Sequence, residues 1–278
     1  MPGTLALVAT PIGNLDDFSR RAAASLADAD IVACEDTRIT AKLLSAYGIH
    51  TPMLAYHEHN AARVRPRILE RLKQGQIVAL VSDAGTPLVS DPGYKLVEAA
   101  IAEGILVTAA PGPAALLAAL VLSGLPSGRF FFSGFLPPRS SARRTEIRAL
   151  AEVPGTLIFY EAPSRLAETL ADLLSVLGPR PAAVARELTK RFEEVRRAPL
   201  DELAAHYEAA EIKGEIVILV GPPSAEAAAE ISDADLDQAL EQALATRSLR
   251  EAAALVAAET GLPRRAVYAR ALMLRKPA

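Results

Sequence analysis

Several short stretches of this chain carry side chains able to move a proton or hold an anion. Glu35, Asp36, Thr37 and Arg38 follow the apolar run IVAC. Tyr56, His57, Glu58 and His59 form a second polar group, and Glu161 with Arg165 in YEAPSRL a third. Glu187, Leu188, Thr189 and Lys190 stand in ARELTKRFEE. A carboxylate or imidazole beside a hydroxyl can accept its proton, and a Lys or Arg can stabilise the anion that forms. Each group also has a purely structural alternative. Asp36 has the side chain of a helix cap with Arg38 as its ion-pair partner. His57 and His59 fit an exposed loop, Glu161 can order its own loop, and Lys190 can sit in a surface ion pair. Cys34 is the single cysteine, so no disulfide can form within one chain. With four His beside it, little is left for a structural metal site.

The loops that would carry such groups are unusual. Val81–Gly93 reads VSDAGTPLVSDPG, with two Gly, two Pro and two Asp and no Lys or Arg. Ala9–Asn14 (ATPIGN) and Ala110–Leu116 (APGPAAL) also pair Pro with Gly. Neither G-x-G-x-x-G nor the Walker phosphate cradle is present, which disfavours a pyrophosphate ligand. Backbone groups, small hydroxyls and Asp83 suit a zwitterionic or nucleoside ligand instead.

The elements behind these loops alternate strand and helix. Apolar strands are expected at Thr4–Thr10, Ile31–Asp36, Ile77–Ser82 and Ile105–Ala110, with helices after each. Unbroken apolar strands in this alternation indicate a largely parallel sheet covered on both faces, with ligands beyond its carboxyl edge. After the break at Leu122–Gly128 the alternation restarts. It gives strands at Arg129–Pro138, Thr156–Ala162, Ala182–Glu187 and Glu215–Gly221, with EEVRRAPL pairing nearby. The Arg- and Ser-rich run after Pro138 reads as a mobile loop leading into a helix. Domains are therefore expected at 1–122, 123–222 and 231–278, the last joined by a linker over Pro222–Glu230. The last segment is all helical, broken at Gly261-Leu262-Pro263 like a helix-turn-helix.

At 278 residues, 51% hydrophobic and a net charge of −3, the chain suits a well-buried globular protein, not a disordered one or a uniformly basic nucleic-acid binder. Basic residues cluster nonetheless. Arg139, Arg143, Arg144 and Arg148 form one patch, and Arg264, Arg265, Arg270, Arg275 and Lys276 another. Such patches suit a polyanion. No apolar run is long enough to span a bilayer, and the N-terminal stretch has no basic region of the signal-peptide kind. A cytoplasmic protein with no membrane partner is expected.

Eight motifs in order resemble one family. They are VATPIGNLDD, CEDTR, VSDAGTPLVSDPG, PGPAALLAAL, FFFSGFLPP, YEAPSRL, ARELTKRFEE and KGEIVILVG. The chain resembles the bacterial 16S rRNA (cytidine 2′-O)-methyltransferases of the tetrapyrrole methylase superfamily, over roughly Thr4 to Gly221 and through the helical tail. The resemblance implies a class III methyltransferase fold, with two α/β domains, a cofactor cleft between them and a small helical appendage. It implies S-adenosylmethionine as cofactor, the ribose of a decoding-centre cytidine in the small ribosomal subunit as substrate, and a homodimer. On the same analogy Pro11, Gly13, Asp83, Gly85, Thr86, Pro111, Gly112 and Pro113 border the cofactor from the first domain. Tyr160, Glu161, Leu188, Gly214 and Glu215 approach it from the second.

A ribose hydroxyl is a poor nucleophile, so a base or a cation near it would help. Glu35 or Asp36 is the candidate to assist deprotonation or hold the ribose, Arg38 to meet a phosphate, and Lys190 to stabilise the alkoxide or bind phosphate. Which group takes the proton stays open. Arg139, Arg143, Arg144, Arg264 and Arg265 are the candidate RNA contacts. Two other readings stand beside this one. The first is a methyltransferase of the superfamily acting on a tetrapyrrole or another small molecule. The second is a non-catalytic RNA-binding assembly factor. A DNA-binding regulator is disfavoured, because the tail is small beside an enzyme-like body.

Overall fold

The structure is a computed structural model that describes residues 3–223, 233–260 and 262–274. The expected linker from position 224 onward, Gly261, and the basic residues Arg275 and Lys276 lie outside these residues. The chain divides into two compact units. The larger runs to Leu150 and resumes over Gly155–Gly221, and the smaller holds Ala151–Pro154 and the C-terminal helices.

The larger unit begins β1 (Thr4–Val8), α1 (Arg20–Ala27), β2 (Ile31–Cys34), α2 (Thr37–Ala46) and β3 (Met53–Ala55). It continues α3 (Ala61–Lys73), β4 (Ile77–Leu80), α4 (Tyr94–Ala102), β5 (Leu106–Ala110) and α5 (Ala115–Ser123). The five strands form one sheet in the order β3-β2-β4-β1-β5. Every neighbouring pair in it is parallel, so all carboxyl ends share one edge. Continuous burial along β2 and most of β4 fits a sheet covered on both faces. One cover packs Val8, Val32 and Ala79 against Leu26 and Leu43, and the other packs Leu5, Val78 and Leu80 against Ile68, Leu72 and Leu96.

The second sheet uses β6 (Phe130–Phe135), β7 (Thr156–Glu161), β8 (Pro181–Arg186), β9 (Glu194–Pro199) and β10 (Ile216–Val220). Its helices are α6 (Ser140–Leu150), α7 (Leu166–Leu177) and α8 (Leu200–Tyr207). Strand order is β6-β7-β10-β8-β9. Only β6 and β7 run parallel; the β7–β10, β10–β8 and β8–β9 pairs are antiparallel. Helix α5 directly precedes this sheet and packs on it, with Leu116, Ala119 and Leu120 against Ile158, Ala183 and Leu219. The Arg- and Ser-rich run expected as a mobile loop is instead the start of α6.

The smaller unit contains α9 (Asp233–Leu244), α10 (Leu249–Thr260) and α11 (Arg264–Leu274). They share an apolar core of Leu240, Ala252, Val256, Val267 and Ala271. Ser248 caps α10 in a reciprocal box with Glu251, whose carboxylate accepts the Ser248 N–H at 3.1 Å and its hydroxyl at 2.6 Å. Among the described residues no helix is long and apolar enough to cross a membrane.

Candidate active site

The three Pro/Gly loops leave the carboxyl edge of the first sheet and are tied to one another. Thr10 and Gly85 exchange backbone hydrogen bonds of 2.8 and 3.1 Å, joining the loops after β1 and β4. The Thr86 hydroxyl donates to the Pro113 carbonyl at 3.0 Å, joining the loop after β5. Gly85 adopts φ 82°, a left-handed conformation that glycine reaches without a Cβ penalty. Further along, Leu88 and Ser90 hold φ of 73° and 64°. Such values are uncommon for side chains with a Cβ, and strain of this kind concentrates at functional sites.

Between this loop system and the second sheet lies a cavity of about 390 Å³. That is large enough for a nucleoside-sized ligand. Asp83, Gly85, Thr86, Tyr160, Glu161 and Leu188 line it, as do Gly214 and Glu215. These eight come from distant parts of the chain and were all named from its motifs. The other five named cofactor positions lie off the wall. Pro113 supports it through the Thr86 bond, while Pro111 and Gly112 are exposed. Gly13 is a packing glycine: a Cβ there would lie 2.4 Å from Lys190 Cγ and 2.8 Å from Thr189 Oγ1. Pro11 is half-buried in the loop between Thr10 and Gly13.

The cavity wall is acidic. Asp83, Asp91, Glu161 and Glu215 line it, with no Lys, Arg or His among the described lining residues. These carboxylates already hold donors, Asp91 through its neighbour Ser82. Asp83 Oδ1 accepts the Asp36 N–H at 3.0 Å. Glu161 is buried, and its oxygens accept the Ala162 N–H at 2.7 Å and the Thr169 hydroxyl at 2.6 Å, with Arg165 Nε 3.3 Å away. Glu161 thus orders its own loop, with its side chain fully buried. Glu215 Oε2 accepts from Lys190 Nζ at 3.0 Å, and that ammonium also donates to Glu187 at 2.8 Å. Burial works to lower the Lys190 pKa, but the bonds to Glu187 and Glu215 outweigh it and leave it raised. Lys190 is a cation at the rim, not a base.

Sequence reasoning passed over Asp91, although it lies inside the quoted loop. Burial, reinforced by the nearby Glu35, raises its pKa to about 6. Glu35 itself is raised, first by burial and then by Asp83.

Of the remaining candidates, Asp36 caps α2 by accepting the Arg38 N–H at 2.8 Å and pairs with the Arg38 guanidinium at 2.6 Å. Those bonds depress its pKa to about 2 and make it a poor base. Neither Glu35, Asp36, Arg38 nor Lys190 lines the cavity. Arg143 requires correction as an RNA contact. Its side chain is 1% exposed and donates to Asp172 at 2.7 Å. Arg144 also binds Asp172, at 2.7 Å, and remains partly exposed, and Arg139 is exposed. In the smaller unit Arg264 and Arg265 are exposed at the start of α11.

A parallel sheet and a mostly antiparallel one, with a cavity between their loops, define a two-sheet methyltransferase class. Diphthine synthase has this fold at TM-score 0.63 and 18% identity, over 79% of this chain and 90% of that one. A Thermus thermophilus uroporphyrin-III C-methyltransferase solved with S-adenosyl homocysteine matches at TM-score 0.56 and 22% identity, over 78% and 97%. The family of tetrapyrrole (corrin/porphyrin) methylases matches residues 4–204, and the RsmI C-terminal helix-turn-helix domain matches residues 230–275. The chain is 54% identical to the ribosomal RNA small subunit methyltransferase I of Mesorhizobium japonicum, over 98% of this chain and 92% of that protein. It is 49% identical to that of Pseudomonas aeruginosa, over 97% of each. This chain belongs to the ribosomal RNA small subunit methyltransferase I family.

Proposed function

We propose that this protein is an S-adenosylmethionine-dependent methyltransferase of the cytoplasm. Its proposed substrate is the 2′-hydroxyl of a decoding-centre cytidine in 16S rRNA of the small ribosomal subunit. The observation that carries the reading is the acidic, lysine-free cavity beyond the carboxyl edge of the first sheet. A phosphate-bearing cofactor would be repelled there, whereas a sulfonium with an ammonium group is attracted. The donor set fits the other end of such a ligand as well, because backbone groups of the Asp83–Thr86 loop suit a zwitterion. S-adenosylmethionine supplies an already activated methyl group, so the protein's task is alignment and proton removal. The linked loops hold the cavity in one shape, and Lys190 fixes Glu187 and Glu215 at its rim. The substrate reading is supported by the near full-length likeness to ribosomal RNA small subunit methyltransferases and by the exposed Arg139, Arg264 and Arg265.

A homodimer is part of the same proposal. Strands β5 and β6 are sheet edges, and they and α5 expose Leu106 (58%), Val121 (75%), Phe130 and Phe131. Exposed apolar edges call for a covering surface, and a second copy supplies one. Sedimentation of the wild type and of Val121→Glu tests this: a wild-type monomer rejects it.

The decisive experiment supplies methyl-labelled S-adenosylmethionine with small subunits from cells lacking the modification, alongside naked rRNA and large subunits. Label at one ribose of small-subunit rRNA is expected. Cofactor binding with no label in any RNA rejects the substrate assignment and favours the small-molecule or assembly-factor reading.

A further inference from the structure

The geometry points to Phe135 as the platform on which the base of the target nucleotide stacks, an inference that rests on the methyltransferase reading above. Phe135 is the last residue of β6 and lines the cavity, yet it is 57% exposed. Tyr160, another wall residue, meets its ring edge-on with centroids 5.7 Å apart, and Phe132 meets Tyr160 in the same way at 4.8 Å. In a regular strand, residues three apart face opposite sides of the sheet. Here Phe132 pairs with Ile158 and Phe135 with Tyr160, so β6 takes three steps where β7 takes two. This bulge puts both phenylalanines on the Tyr160 face. Gly134 makes the turn at φ 73°, and a Cβ there would lie 3.2 Å from the Oγ of Ser90 on the cavity wall. Just beyond, Leu136 is buried, and Arg165 Nη2 donates to the Leu136 and Pro137 carbonyls at 2.7 and 3.2 Å. The backbone is therefore held on both sides of a ring that stays largely open.

Single exposed apolar side chains are ordinary on a protein surface. A bulge that interrupts the ladder to set one on the wall of a ligand cavity adds little burial, so its use lies in what the cavity receives. A cavity of about 390 Å³ takes one nucleoside-sized ligand, the cofactor, so the acceptor ribose meets the methyl group at the rim. Single-stranded RNA is recognised largely by stacking its splayed-out bases on aromatic side chains. Phenylalanine offers a π-face and no hydrogen bond, so it orients a base without reading its edge. Fixing the base plane fixes the ribose attached to it, which is the alignment an in-line methyl transfer needs. Phe135 thus positions the substrate and takes no part in the bond changes. Arg139, exposed four residues further on, supplies a charge for the phosphates of the same strand.

Steady-state methylation of small subunits separates the ring from its bulk. Phe135→Leu keeps an apolar side chain and loses the stacking face. Its kcat/KM for subunits should fall roughly 5- to 150-fold, the span of base–aromatic stacking. Affinity for S-adenosylmethionine by calorimetry, the urea midpoint and the sedimentation coefficient should stay at wild-type values. Phe135→Tyr and Phe135→Trp keep a ring and should restore most of the loss. Unchanged kcat/KM in Phe135→Leu overturns the inference, and so does a loss that neither aromatic variant restores. A parallel loss of cofactor affinity also overturns it, because the ring would then lie on the cofactor. An altered sedimentation coefficient does the same, because the ring would then cover a second copy of the chain. A wild-type protein that labels no RNA sinks the functional reading and the platform with it, whereas wild-type labelling beside an unaffected Phe135→Leu sinks the platform alone.

Discussion

Asp172→Ala removes the centre of the buried charge cluster between α6 and α7. Asp172 is 6% exposed and Arg143 1%. One Asp172 oxygen accepts Arg143 Nε at 2.7 Å, and the other accepts Arg144 Nε at 2.7 Å and the Ser140 hydroxyl at 3.0 Å. Without it, Arg143 keeps the Pro138 carbonyl at 3.3 Å and an exposed Glu168 at 3.5 Å. An uncompensated buried charge costs about 3–5 kcal/mol. With a slope of about 2–3 kcal/mol per M, the urea midpoint should fall by roughly 1–2 M with the slope unchanged. Replacing both partners by apolar residues, Arg143→Met with Asp172→Leu, should recover most of the loss, because no charge is then buried. The pH dependence follows as well. Burial works to raise the Asp172 pKa, but Arg144, Arg143 and Ser140 together hold it below the ordinary carboxylate range. Its contribution is therefore complete above the unfolded aspartate value, about pH 4. It is lost as pH falls through the lower folded value. The reasoning fails if Asp172→Ala leaves the urea midpoint in place while Arg143→Met weakens subunit binding at unchanged stability. Arg143 would then be an RNA contact after all.

Three further outcomes are expected. Gly13→Ala places a Cβ 2.4 Å from Lys190 Cγ and 3.1 Å from the Leu188 carbonyl. It should cost roughly 1–3 kcal/mol by overpacking and weaken cofactor binding, with both read by calorimetry. Asp36→Asn keeps the capping oxygen and loses the Arg38 ion pair, so it should leave the methylation rate at neutral pH near that of the wild type. A large loss of rate at unchanged stability would return Asp36 to the proton-transfer chemistry. A chain ending at Pro223 should lose affinity for the RNA substrate and keep affinity for the cofactor, and equal RNA affinity with and without the helical unit would reject a binding role for it.

What the sequence disclosed, and what it hid, divides along physical lines. Strand existence was legible because buried strands read as unbroken apolar runs, and the three loops were legible because Pro and Gly punctuate them. Direction in the second sheet was not. Ile216–Val220 is buried at every position, and such a run looks the same whichever way its neighbours run. Helix α3 was missed because Pro66 and alternating Arg63, Arg65 and Arg67 mask the buried ladder of Val64, Ile68 and Leu72. Strand β3, three half-buried residues, is too short to show a period. The same limit governs the site. Residue type marked Asp83 and Glu161, and the family resemblance Glu215, as polar groups near the cleft, yet their availability for chemistry depends on which donors the fold brings to them. An Arg in a polar run reads as exposed, and only the approach of Asp172 on α7 shows Arg143 to be structural. Conversely, Asp91 looks like one more loop residue. Only the fold shows that burial, reinforced by the nearby Glu35, raises its pKa to about 6.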